Sequence, residues 1–195
     1  MTVHSAGAPI DPFLLPLQSL ENDWFGTVLD PALRFAFGHD DKRFHFVARH
    51  GRPARCHPDS SCGAFQAELW KYDVAEFFLT DSITGHYLEF NLAPNGAWWS
   101  CIFDAPLQRI SKRDEPLPGV LTAARHDDQG WCATASLPLP WLREQFHFGP
   151  ASRLNATFIL ESPAQRFLTA HPLGEGPPAF HQPSLFPPIA LTSFS

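Results

Sequence analysis

Twenty prolines and twelve glycines are spread through 195 residues, and no long segment between them carries apolar residues at the 3.6-residue spacing of a helix. A proline fixes its own φ and removes a backbone donor, so a chain interrupted this often builds short elements. Between the interruptions the side chains alternate. Phe35, Phe37, Phe44 and Phe46 stand at every second position on either side of His39-Asp40-Asp41, which predicts paired strands over residues 33–49. "DVAEFFL", "HYLEFNL" and "AWWSCIF" predict a three-strand meander. "VLTAARH" and "GWCATASLP" predict a further hairpin, and "RLNATFIL" another strand. In "LPLPWLREQF" a proline near the first turn opens a brief helix over Pro140 to Gln145. The connections are short enough for antiparallel neighbours, so the expected fold is an all-β antiparallel β-sandwich with one short helix.

A hydrophobic content of 44% in a chain this long is enough for one core. The expected organisation is an N-terminal extension, residues 1–23, packing on a single sandwich domain, residues 24–195. The net charge is −6 and lysine is scarce, so the basic stripe that phosphate backbones require is missing and nucleic acid is excluded as a partner. The first twenty residues lack a cationic start and an apolar run long enough for a leader or a membrane span, so the expectation is a soluble, cytoplasmic chain. Cys56, Cys62, Cys101 and Cys132 show no CxxC spacing and are expected to stay reduced there. Cys56-His57 with Cys62 lacks a fourth zinc ligand.

The stretch "YLEFNLAPNGAWWSCIF", residues 87–103, is the richest in candidate ligand contacts. A two-residue turn at Pro94-Asn95 sets Ala93 opposite Gly96, Asn91 opposite Trp98 and Glu89 opposite Ser100. Phe90 then faces Trp99 and Leu88 faces Cys101, so Trp99 is core and Trp98 is exposed on the polar face. Pairing Phe77 with Leu88 and Ala75 with Phe90 keeps the apolar face intact and places Glu76 opposite Glu89. Like charges in that position destabilise a sheet unless a cation, an arginine or a ligand offsets them. Proline at the first central position suits turns of type I or II better than the primed hairpin turns, and a slip of one residue exchanges the faces.

A face bearing Trp98, Tyr87, Glu76, Glu89 and Asn91 offers a flat ring for a pyranose and planar acceptors for its hydroxyls. The alternative from spacing is that the 104–118 segment or the C-terminal tail covers this face, with Arg109 or Arg113 neutralising the glutamates.

The order of "ELWKYDVAEFFL", "YLEFNLAPNGAWW", "GWCATASLPLPWL", "LNATFIL" and "FLTAHPLGEGPPAFHQPSLFPPI" resembles the family 9 carbohydrate-binding modules and their DOMON-like relatives, over roughly residues 24 to 191. The shared motif positions are Trp70, Asp73 and Glu76; Tyr87, Glu89 and Phe90; Trp131 and Pro138; and Phe180, His181 and Pro183. The chain departs from the pattern at Ala179, where an acidic residue is frequent, and at His171, where a tryptophan is common. The resemblance implies a CBM9-like sandwich that binds a saccharide without catalysis; with the strand-face reading and the loop histidines, the expected contacts are Trp98, Glu76, Glu89, Asn91, Tyr87, Trp70, His171 and His181. It also implies, in some relatives, structural calcium, whose oxygen ligands here would be Asp73, Glu76 or Glu89. No other cofactor is expected. Met1 is the single methionine, which disfavours the Met/His haem ligation of other branches.

Two other classes compete. Glu76 and Glu89 at cross-strand distance approach the ~5 to 5.5 Å carboxyl separation of a retaining glycosidase, but no hydrolase nucleophile motif accompanies them. A β-sandwich that buries exposed aromatics against a partner or in a homodimer is the third class. His171 and His181 bracket a Pro/Gly-rich loop, as turn-stabilising hydrogen bonders or as ligand contacts.

Overall fold

The computed structural model describes residues 1–194; Ser195, the last residue of the expected domain, lies outside them. In chain order the strands are β1 (Thr2–Ser5), β2 (Gln18–Asn22), β3 (Val28–His39), β4 (Arg43–His50), β5 (Val74–Thr80), β6 (Tyr87–Leu92), β7 (Trp98–Ala105), β8 (Gln108–Arg109), β9 (Leu121–Asp127), β10 (Gly130–Pro138), β11 (Leu154–Leu160), β12 (Arg166–Thr169) and β13 (Ala190–Ser193). The helix, α1, is Leu139–Phe146. Pro140 lies in its first turn, it buries Leu139, Leu142 and Phe146, and it ends where His147 turns left-handed at φ 46°.

The strands form a sandwich of two sheets. One runs β13-β1-β3-β4-β10-β9 with β2 also paired to β3, and the other runs β12-β11-β5-β6-β7-β8. Period-two alternation sends one side of each strand between the sheets, where phenylalanines dominate. Phe37 stacks on Phe46 at 4.9 Å, Phe77 stacks on Phe90 at 5.1 Å, and an edge contact of Phe37 with Phe77 at 5.9 Å joins the two layers. Each fully buried ring contributes about 2 kcal/mol of transfer free energy, so this cluster is a main source of cohesion. Among the described residues no helix is long and apolar enough to cross a membrane.

The expected strands, hairpins and helix all form. Residues 1–23 differ from expectation, because they are built into the larger sheet rather than laid on it. β1 pairs in parallel with both β3 and β13, and β2 pairs with β3. Polar runs such as "TVHS" and "QSLEN" hide this from a hydrophobicity reading.

The β6–β7 register also differs, by one residue. Ala93 pairs with Ala97 through the Ala93 N–H and Ala97 carbonyl at 2.8 Å, and Gly96 N–H donates to the Ala93 carbonyl at 2.9 Å. The loop is therefore the three residues Pro94, Asn95 and Gly96, with Gly96 left-handed at φ +85°. Proline cannot adopt the positive φ that a two-residue primed turn demands, so the chain makes an ordinary turn and Gly96 absorbs the extra position. Leu92 then faces Trp98, Asn91 faces Trp99 and Glu89 faces Cys101. The two tryptophans exchange faces.

Between β5 and β6 the register differs by two, which leaves the faces unchanged. Phe77 pairs with Phe90 and Glu76 with Asn91. The Asp81 carboxylate accepts from the N–H groups of Ile83 and Thr84, and this capped loop holds residues 81–86 out of the ladder. Glu76 and Glu89 consequently sit on one face as diagonal rather than directly opposed neighbours.

Candidate functional site

The outer face of the smaller sheet is the face that the β6–β7 loop sets. Glu76 and Phe78 come from β5, Tyr87, Glu89 and Asn91 from β6, Trp99, Cys101 and Phe103 from β7, Arg109 from β8, and Thr157 and Ile159 from β11. Two segments cross over it. The 3-10 turn Leu69–Lys71 brings Trp70, and the stretch after β12 brings Phe180 and His181. Together they enclose a pocket of about 440 Å³ lined by Trp70, Trp99, Phe103, Phe180, Glu76, Glu89, Arg109 and His181, with Phe78, Leu107 and Ile159 completing its walls.

Aromatic rings form the walls. Trp70 meets Trp99 edge-on at 5.2 Å, and Trp70 is 37% exposed whereas Trp99 is 2% exposed. Asp114 latches the mouth, accepting the Trp99 indole N–H at 3.1 Å and pairing with Arg109. The Arg109 guanidinium also lies over the Trp99 ring at 5.3 Å and donates through Nε to Cys101 Sγ at 2.9 Å.

Two carboxyl groups lie at the pocket base. Glu76 Oε2 accepts from the Thr157 hydroxyl at 2.9 Å, and Glu89 Oε1 accepts from Asn91 Nδ2 at 3.1 Å. Burial pushes the pKa of Glu76 well above the ordinary carboxyl range, and the charge of Glu89 adds to the rise. Burial raises that of Glu89 as well, opposed by the Asn91 hydrogen bond and the charge of Arg109. His181 Nε2 stands 3.5 Å from Glu89 Oε2, and burial lowers its pKa to about 4. The Tyr87 hydroxyl accepts the Leu107 N–H at 3.2 Å and contacts His181 Nδ1 at 2.8 Å. With Tyr87 donating to Nδ1, the neutral ring presents its Nε2–H to Glu89. The Tyr87 hydrogen bond fixes the orientation of His181 without a charge on it.

No family model matches the sequence, and no curated protein matches it either. Solved structures do. A proposed carbohydrate-binding protein from Bacteroides uniformis matches with a TM-score of 0.66 at 14% identity, over 98% of each chain. A family 9 carbohydrate-binding module from Caldicellulosiruptor kristjanssonii in complex with glucose matches with a TM-score of 0.62 at 14% identity, over 100% of this chain and 96% of that one. Its complex with cellotriose gives 0.63 at 15% identity, over 99% and 94%. The fold is CBM9-like.

On this CBM9-like frame the residues singled out from the sequence separate into three groups. Trp70, Glu76, Glu89 and His181 meet in the pocket. Tyr87 and Asn91 are fully buried behind it, Tyr87 holding His181 and Asn91 holding Glu89. Trp98 and His171 are elsewhere. Trp98, expected as the exposed stacking ring, is 5% exposed between the sheets, stacked on Phe90 at 5.5 Å with its indole N–H on the Gly63 carbonyl. The one-residue register difference is the cause. His171 projects to solvent beyond β12, where its backbone N–H is held by Asn155 Oδ1 at 3.1 Å.

Asp73 lies outside the pocket. Its carboxylate accepts the N–H groups of Ser162 at 2.8 Å and Arg55 at 3.2 Å, tying two loops together. Among the described residues no three His, Cys, Asp or Glu side chains converge as a metal-ligand set. Trp99 and Phe103 are the pocket residues that a two-residue turn conceals, since that turn would send both to the core. Arg109 belongs to the 104–118 segment whose cover over this face was the alternative reading, and it does lie against the glutamate side.

Proposed function

We propose that the CBM9-like pocket binds a saccharide without transforming it. The observation that carries this reading is an aromatic-walled pocket with two carboxyl groups, a guanidinium and a neutral imidazole converging at its base. The rings of Trp70 and Phe180 supply flat apolar surfaces for the C–H faces of a pyranose. At near-neutral pH a raised carboxyl pair holds a proton, so one group donates to a hydroxyl while its neighbour accepts, a match for adjacent hydroxyls. The solved relatives in complex with glucose and cellotriose support this ligand class.

A non-catalytic role is favoured because the solved structures that share this fold include carbohydrate-binding modules crystallised with glucose and cellotriose. The protein-interaction reading loses its anchor, since Trp98 is in the core.

The test is tryptophan fluorescence titrated with glucose and with cellotriose, with and without calcium, on wild type and Trp70→Ala. Saturable binding that weakens by about thirtyfold in the variant, the ~2 kcal/mol of an anchoring aromatic, with an unchanged circular dichroism spectrum, is expected. A calcium-dependent affinity would place the ion in this function as well. No response to either sugar, or equal binding by Trp70→Ala, would overturn the reading. Turnover of an aryl glycoside that vanishes in Glu89→Gln would replace it with an enzymatic one.

A further inference from the structure

Saccharide binding leaves the opposite side of the sandwich unexplained. On the outer face of the larger sheet the ladders set Arg34 opposite Arg49, Arg49 opposite Cys132, and Cys132 opposite Arg125. Three arginines thus share one row across β3, β4, β10 and β9, in a chain of net charge −6. Like charges on one sheet face repel, and repulsion is unfavourable without a counter-charge. Some arginines elsewhere have carboxylate partners: Arg109 pairs with Asp114, and Arg166 with Asp23 and Glu161. Among the described residues, Arg34, Arg49 and Arg125 have neither a carboxylate within ion-pair distance nor a hydrogen bond from the guanidinium, and all three are exposed.

Arg49 and Arg125 border a groove of about 420 Å³ to which Phe13, Val47, Cys132 and Trp131 also contribute. Phe13 reaches it from the N-terminal segment, its ring 5.2 Å from the Arg125 guanidinium carbon. Cys132 lies between the two arginines, and their charges act on its thiol against the upward push of burial. Asp127 also lines the groove, and its carboxylate is engaged at the β9–β10 turn, accepting the Gln129 N–H at 2.8 Å.

We propose that this groove binds a small organic oxyanion, a phosphate or sulfate ester, whose charged group lies between the guanidiniums of Arg49 and Arg125 and whose body rests on Phe13 and Val47. Guanidinium forks match tetrahedral oxyanions in two-point hydrogen bonds, and the two on β4 and β9, either side of β10, offer four such donors. Arg34, opposite Arg49, strengthens the positive field at this side of the sheet and supports capture of an anion.

The experiment is isothermal titration with phenyl phosphate and phenyl sulfate at constant low ionic strength, on wild type, Arg49→Gln, Arg125→Gln, the double variant, and Arg143→Gln on the exposed side of α1. Expected is saturable binding of one ligand per chain. Affinity should fall about tenfold for each groove guanidinium removed, fall with added sodium chloride, and be unaffected by Arg143→Gln. Excess glucose should not compete, since the pocket lies on the other sheet. Absence of saturable binding in wild type, affinity retained in the double variant, or displacement by glucose would each overturn the proposal.

Discussion

At the scale of single residues, the pocket depends on a few groups whose chemistry is set by what buries them. Glu76 is the clearest case. Its raised pKa means that folding favours the protonated form. The associated stability is complete below the ordinary carboxyl pKa and is lost as pH rises through the raised one. Glu76→Gln keeps the shape and an acceptor for Thr157 but cannot ionise. It should therefore match wild type near pH 5 and melt higher by about 3 °C or more, the equivalent of ~1 kcal/mol, near pH 9. Thermal unfolding across that range checks it, and a pH-independent difference would contradict the burial argument. Trp98→Ala should cost about 3–5 kcal/mol in urea unfolding, as removal of a core aromatic does. The residue types on the pocket face are legible in the sequence: Glu76, Glu89 and Tyr87 alternate as a strand face requires. Which of two adjacent tryptophans joins them is not legible from their own identity, because that depends on a turn three residues away.

The β3–β4 hairpin shows at the scale of elements how a connection can be as informative as a strand. Asp40 accepts the N–H groups of Ile10, Lys42 and Arg43 and contacts His45 Nε2 at 3.2 Å. These bonds to the carboxylate outweigh its desolvation and lower its pKa from 3.8 to about 2. The depressed pKa contributes about 2 kcal/mol above the ordinary carboxyl range, lost as pH falls through the folded value. Asp40→Asn should therefore be destabilised by roughly that amount at pH 6, and the difference from wild type should close by about pH 2. Urea unfolding at a series of pH values measures it. Strands are legible because alternation is a local signal that tertiary context rarely reverses. Loops are less so: Pro94 excludes a primed turn, yet only the hydrogen bonds at Ala93 and Gly96 show the three-residue solution. The Asp81 cap, which moves β5 by two positions, is likewise a matter of side-chain geometry rather than pattern.

The whole molecule is a sandwich whose two outer faces are chemically unlike, one aromatic and carboxyl-rich, the other carrying a row of arginines. The sandwich class follows from short alternating strands and short connections. The parallel insertion of β1 does not, because a four-residue polar strand carries little periodicity. Its structural weight can be measured. Removing residues 1–5 exposes the edges of β3 and β13 and removes Val3 from the core. The truncated chain should lose at least ~2 kcal/mol from Val3 alone, or about 4–8 °C, and should self-associate through the freed edges. Calorimetry and light scattering report the two effects.

The pairing of β1 with β13 also has a consequence in time. Thr2 lies beside Ala190 and Ser5 beside Ser193, so strands far apart in sequence are immediate neighbours. On the ribosome, β1 can find β3 early but must wait for β13 before its other edge is covered. Pairings this distant in sequence are slow to form, and until they do the nascent sheet presents an open strand to whatever else is near.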